Sequence, residues 1–251
     1  MTELEVLDHK LSRIFVKTFA TYKLLCDGDK ILVGLSGGKD SLFLLEMLAK
    51  RSRIHHPQFS IEAIHVRMEN IQYETSTDYL QQFCDELNVP LHIVTTSFET
   101  GGDSCLSGRD KRRQKSPCFL CSWNRRKMIF NLAQELGCNK IALGHHQDDI
   151  LKTTLMNLVF QGRFDTMPAL LKMKKMPLSI IRPLCMMAEA DIKRYAELRN
   201  YQKQTKLCPY ETDSHRTDIS ELLEHAIALS SEARVSIWKA LNRDNKLIEE
   251  Y

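Results

Sequence analysis

The run Ile31-Leu32-Val33-Gly34-Leu35 constrains the fold most, because it passes without a break into Ser36-Gly37-Gly38-Lys39-Asp40-Ser41 and then into helical periodicity over Ser41 to Arg53. A short, continuously apolar segment suits a strand covered on both faces, as in a parallel sheet. Parallel neighbours need long crossovers, usually helices. The same alternation continues along the chain. Ile61 to Val66, Leu91 to Thr95, Lys140 to Leu143 and Leu178 to Ile181 read as further strands. Leu4 to Leu25, Thr77 to Leu87, Cys121 to Leu136 (closed by Gly137), Asp149 to Phe160 and Glu189 to Arg199 read as helices, and Asp218-x-x-Glu221 as a capping box opening a C-terminal helical region. The expectation is an α/β, Rossmann-like domain: a parallel sheet of about five strands with helices on both faces, plus N- and C-terminal helices. The expected divisions are an N-terminal helix over 1–28, the sheet domain over 29–205 with an inserted segment at 97–121, and a helical region over 206–251. Right-handed crossovers gather the strand C-terminal ends at one edge, where ligands bind in such sheets.

Three segments leave strands at that edge. In the first, Gly37 and Gly38 let the backbone turn sharply and bring N–H groups close to an anion. The helix that starts near Ser41 aims its free amides and positive dipole end at the same point. Lys39 adds a cation, and Ser36 and Ser41 add hydroxyls. This is a phosphate cradle, with Lys39 and Asp40 as candidate catalytic residues. It is not a Walker A loop, since Val33 and Asp40 stand where that pattern wants Gly and Ser/Thr. In the second segment, Gly144-His145-His146-Gln147-Asp148-Asp149, Gly144 permits close approach. Asp148 and Asp149 beside a triphosphate suit Mg²⁺, although Asp also favours helix N-termini for dipole reasons. His65, ending the second strand, is expected on the ribose or adenine side. For His145 and His146 both nucleotide contact and simple packing stay open.

The third segment carries Cys118-Phe119-Leu120-Cys121, one of several thiol positions among eight cysteines. No apolar run reaches the ~18–20 residues of a membrane span, and Met1 to Lys10 has no apolar signal core. A cytoplasmic location is the expectation, where thiols stay reduced. Cys26, Cys84, Cys138 and Cys185 lie in apolar contexts and are expected to pack. A CxxC pair allows redox, zinc or iron–sulfur readings. Cys208 precedes Pro209, as the last cysteine of many iron–sulfur runs does. Cys118, Cys121 and Cys208 could hold a [4Fe–4S] cluster with one iron open to a sulfur ligand, with Cys105 and Cys185 competing as a fourth ligand. Around the pair, residues 109–127 hold eight Lys/Arg against one acid, while the whole chain is only +3. That is a plausible phosphate-backbone footprint.

Taken in order, the loop 36–41, Cys118-x-x-Cys121 followed by Ser122-Trp123-Asn124-Arg125-Arg126, Ile141 to Leu151 with Gly144-His145-His146-Gln147-Asp148-Asp149, Ile181-Arg182-Pro183-Leu184 and the late Cys208 resemble the tRNA 2-thiocytidine synthetase family of PP-loop N-type ATP pyrophosphatases. The resemblance spans roughly residues 10–225. It implies an ATP-dependent, iron–sulfur-dependent tRNA sulfurtransferase, usually homodimeric and fed by a sulfur donor such as a cysteine desulfurase. Its cluster ligands fall on Cys118, Cys121 and Cys208, and its ATP motif on Ser36 through Ser41. The basic run, with Lys172, Lys174, Lys175 and Arg182, would hold tRNA phosphates. A 2-thiouridine synthetase, a lysidine-type ligase, a small-molecule sulfurtransferase and a non-catalytic regulatory protein are the alternatives.

Overall fold

The computed structural model describes residues 1–69, 72–73, 77–97, 117–202, 206–207 and 215–249. Along the chain come α1 (Glu3–Tyr22), β1 (Asp29–Gly34), α2 (Lys39–Ser52), β2 (Phe59–Met68), β3 (Gln72–Tyr73), α3 (Thr77–Leu87), β4 (Leu91–Thr96), α4 (Pro117–Glu135), β5 (Lys140–Ala142), α5 (Gln147–Gln161), β6 (Leu170–Lys172), β7 (Ser179–Ile181), α6 (Glu189–Leu198), β8 (Lys206–Leu207), α7 (Arg216–Leu229), α8 (Ala233–Arg243) and β9 (Ile248–Glu249). The main sheet has the order β4-β2-β1-β5-β7-β6-β9, and β3 pairs separately with β8.

The predicted alternation is present, with two additions. Among the described residues the main sheet has seven strands rather than about five, because β6 and β9 join it. Nor is it wholly parallel. β6 runs antiparallel to β7, with Leu171 opposite Ile180. The link between those strands is too short for a crossover, so only a hairpin can join them. The C-terminal β9 pairs parallel to β6, so the end of the described chain belongs to the same sheet.

Strand periodicity sorts the core into two layers. From β1, Ile31 and Val33 join one cluster and Leu32 the other. From β2, Ile61 and Ala63 join the first, and Ile64, Val66 and Met68 the second. The first cluster takes Leu11, Phe15 and Phe19 of α1, the apolar face of α2 and Tyr195 of α6. Over the second lies α4, which presents Ala133, Met128 and Ile129 to the sheet. Helix ends follow local chemistry. Thr2 and Glu5 form a capping box at α1, and Gly137 adopts φ +66° just beyond α4.

Of the cysteines expected to pack, Cys84, Cys138 and Cys185 are buried. Burial pushes the Cys84 thiol up to about 12 and raises that of Cys185, which is packed in the core at 0% exposure. Cys26 departs from expectation. Lys23 ends α1 in the left-handed conformation, and Cys26 falls in the exposed surface turn beyond it. Among the described residues no helix is long and apolar enough to cross a membrane.

α2 contains a buried carboxylate that ties it to α6 and the segment after α6. Glu46 is 1% exposed. It accepts from Tyr195 Oη at 2.8 Å and Tyr201 Oη at 2.7 Å, and pairs with Lys50 Nζ at 3.0 Å. Burial alone would raise its carboxyl. The bonds from Tyr201 and Lys50 outweigh burial and hold it below the ordinary range. Its contribution to stability is therefore complete above about pH 4.3, the unfolded value for Glu, and is lost as pH falls through the lower folded value. Glu46→Ala leaves the Tyr201 hydroxyl without its acceptor and Tyr195 with Asp8 as its remaining one. It is expected to cost about 2–4 kcal/mol in urea unfolding at neutral pH, and the loss should shrink in acid.

Candidate functional site

The strand order reverses at β1, which has β2 on one side and β5 on the other. Above that point lies a cleft of about 660 Å³. Ser36, His65, His145 and Arg182 reach it from the sheet edge, and Ser122, Arg125 and Arg126 from α4. Its floor is apolar, with Leu35, Val66, Ile141 and Leu143, a surface able to receive a flat base.

The phosphate loop is built as the sequence implies. Gly37 has φ +82°, a conformation that favours glycine. Ser41 Oγ accepts from Gly37 N at 3.1 Å and donates to Gly38 O at 2.9 Å, and Ser36 Oγ accepts from Gly38 N at 3.3 Å. The two serines thus shape the loop from inside. α2 starts at Lys39 with Gly38 as a cap that offers no side chain, so its first amides keep their capacity for an anion. A Cβ built on Gly144 would lie 3.0 Å from Asp40 O, 3.1 Å from Asp40 C and 3.2 Å from Ser41 N. The β5–α5 loop therefore abuts the first turn of α2 directly.

Around Lys39 the charges are balanced locally. Its Nζ lies 3.0 Å from Glu189 Oε1 and 3.2 Å from Asp40 Oδ2. Burial opposes its charge, and Asp40 and Glu189 overcome that and hold its pKa above the ordinary value. Asp40 moves up because burial outweighs Lys39 and His146, and among the described residues its buried Oδ1 makes no hydrogen bond. Such an orphaned hard oxygen fits a divalent cation. Glu189, from the start of α6, was not anticipated from the sequence. The available signal was an acid in the first turn of a helix leaving a strand at the same sheet edge.

Asp148 and Asp149, expected as joint Mg²⁺ ligands, have different surroundings. Asp148 is buried, receives Arg234 of α8 on Oδ1, and accepts Glu189 N–H on Oδ2 at 2.8 Å. Burial would raise its carboxyl, yet Arg234 and that amide hold it below the ordinary range. Both its oxygens are thus committed to the fold. Asp149 caps His146 N–H at 3.0 Å and is only half-buried. His146 is buried among Asp40, Asp148, Asp149 and Glu189. His65 lines the cleft with Nδ1 2.8 Å from Leu35 O.

Cys118 and Cys121 both fall within the first five residues of α4, exposed and half-buried respectively. The helix begins at Pro117, earlier than periodicity suggested. Proline at the first helical position was the available signal. Residues three apart share a helix face. The donor set and its placement suit a cluster. Cys105, Cys208 and the basic residues Arg109, Lys111, Arg112, Arg113 and Lys115 lie outside the described residues. Lys172, Lys174 and Lys175 are solvent-exposed. Arg182, expected to hold phosphate, is instead 7% exposed and donates to Pro168 O and His145 Nδ1.

A parallel sheet whose first strand feeds a Ser-Gly-Gly-Lys-Asp-Ser cradle defines a PP-loop protein, and the PP-loop domain family matches residues 6–214. The chain is 34% identical over 219 residues to the tRNA-cytidine(32) 2-sulfurtransferase of Bordetella avium (strain 197N), covering 87% of this chain and 67% of that protein. It is 35% identical over 224 residues to the protein of the same name from Shewanella baltica (strain OS185), covering 88% and 70%. Among solved structures, the U34-tRNA thiolase NcsA from Methanococcus maripaludis with its [4Fe-4S] cluster matches with a TM-score of 0.74 and 25% identity, over 98% of this chain and 81% of that one. The chain belongs to the PP-loop family, in the branch that holds these 2-sulfurtransferases.

Gly144→Ala would drive a methyl group into backbone rather than into a yielding side chain. It should displace the start of α2 and weaken ATP binding by about tenfold or more, equivalent to about 1.4 kcal/mol. Isothermal titration with ATP measures this, and wild-type affinity in a folded variant would contradict it.

Proposed function

We propose that the protein is an ATP-dependent tRNA thiolase that converts an anticodon-loop cytidine to 2-thiocytidine. The observation that carries this reading is that the phosphate cradle and the CxxC-bearing helix border one cleft: Ser36 lines it from the loop, and Ser122 and Arg125 line it from α4. The identity of 34–35% to proteins named for cytidine 32, against 25% to the U34 thiolase, favours cytidine over uridine.

ATP sits with its triphosphate on the amides of Lys39 and Asp40 at the start of α2 and against the Lys39 side chain, which leaves Glu189 for the phosphates. Mg²⁺ would be held chiefly by the triphosphate, with Asp149 and the orphaned Asp40 Oδ1 as protein oxygens, and would offset charge on the departing pyrophosphate. The C2 oxygen of the cytidine attacks the α-phosphorus, the bond to pyrophosphate breaks, and an adenylated base forms. Preorganised amides and Lys39 stabilise charge developing on the α-phosphate. A sulfur nucleophile then bonds to C2, the C2–O bond breaks, and the oxygen leaves with AMP. Cys118, Cys121 and Cys208 would hold an iron–sulfur cluster, which would supply iron able to carry such a sulfur. The target base must be unstacked to reach the cleft, which suits a loop nucleotide. Arg126, Lys172, Lys174 and Lys175 would contact the tRNA backbone. The same reading carries a sulfur donor such as a cysteine desulfurase, a homodimer and a cytoplasmic location.

Lys39→Ala is expected to slow tRNA-dependent pyrophosphate release by about 10²-fold or more. Cys118→Ala and Cys121→Ala should keep ATP binding but lose iron and 2-thiocytidine formation. Nucleoside mass spectrometry on digested tRNA reads the product. Thiolation that persists in Lys39→Ala would sink the mechanism, and 2-thiouridine as the product would move the target base.

A further inference from the structure

The two histidines after Gly144 have opposite environments. His146 is buried among carboxylates, whereas His145 lines the cleft. Arg182 Nε lies 3.3 Å from His145 Nδ1. A guanidinium carries donors and no acceptor, so Nδ1 must be the nitrogen that bears the lone pair. The ring proton of the neutral imidazole then sits on Nε2. Among the described residues Nε2 makes no hydrogen bond. Arg182 is fixed in this role, since it is almost wholly buried and its Nη1 donates to Pro168 O.

We propose that His145 is a further catalytic residue, a tautomer-locked neutral imidazole whose Nε2–H donates to the oxygen shared by the activated base and the α-phosphate. This rests on the thiolation reading of the same cleft. That oxygen gains charge as AMP leaves, and a preorganised donor aimed at it lowers the barrier. No proton is transferred in the step, because a neutral imidazole N–H holds its proton far too tightly to act as an acid. The charge departs with AMP.

The surroundings agree. Burial and the charge of Arg182 press His145 down to about 4. Asp149 is the one group opposing them, while His146 and Arg126 push the same way. Arg125, Arg126 and Arg182 already line the cleft, so another cation would be repelled, whereas a neutral donor adds direction without charge. A neutral histidine as electrophile is an established catalytic pattern in unrelated folds. The close contact of Gly144 with Asp40 and Ser41 places the residue that follows it beside the phosphate cradle.

The test uses full-length protein labelled with [¹⁵N]histidine, the His145 signals being assigned with His145→Gln. The expected spectrum shows an unprotonated Nδ1 and a protonated Nε2 that persist from about pH 5.5 to 8. A protonated Nδ1, or an imidazolium forming within that range, overturns the proposal. In parallel, single-turnover thiolation is compared for wild type, His145→Ala and His145→Gln. His145→Ala should slow the chemical step by about 10²-fold with ATP affinity unchanged, and His145→Gln, which keeps an N–H donor, should recover part of the loss. Wild-type rates in His145→Ala overturn the donor role while leaving the thiolation reading intact. A wild-type protein that forms no thionucleoside, whatever the tautomer, overturns both.

Discussion

Two loops that leave neighbouring strands meet where Gly144 lies against the backbone of Asp40 and Ser41. That approach has no room for a side chain, and much of the site depends on it. It sets the phosphate cradle beside the histidine loop. It brings the two carboxylates that open α5 to the same edge, and through Asp148 it reaches α6 and α8. The β7–α6 connection is tied in as well, since Gln147 N–H donates to Met187 O at 2.9 Å. The site is thus fixed largely by backbone, and the reactive side chains are carried on a frame that does not rely on their own packing.

Electrostatics completes the frame. Lys39 is held by Asp40 and Glu189, and Glu189 also lies 3.7 Å from Lys152. The cradle is therefore close to neutral before any phosphate arrives. A triphosphate entering it exchanges one set of anionic partners for another, which keeps Lys39 ordered and limits the desolvation penalty of binding. The buried Asp148–Arg234 pair sits one step back, where its carboxylate organises the α6 N-terminus through an amide rather than facing the ligand.

Local pattern made much of this visible beforehand. The apolar run of β1, the two-glycine turn and the helix after it lie within some twenty residues, so sequence spacing alone reports them. What escaped notice was non-local or too brief. β6 and β9 have three and two residues, too few to establish a period. Glu189 meets a lysine 150 positions away, and Arg234 an aspartate 86 away. No local rule distinguishes Asp148 from Asp149, because their difference is made by α6 and α8. Glu46 looks like an ordinary surface residue of an amphipathic helix until Tyr195 and Tyr201 are folded over it. Arg182 likewise looks like a phosphate binder until the fold encloses it.

The distribution of thiols gives the protein an internal record of its own integrity. Cys26 and Cys118 face solvent, whereas Cys84, Cys138 and Cys185 are enclosed on both sides of the sheet. An alkylating reagent reaches Cys26 in the native state and the enclosed thiols only when the layers separate. Cys84 and Cys185 belong to one layer and Cys138 to the other, so the order in which their masses shift would reveal which face of the sheet opens first.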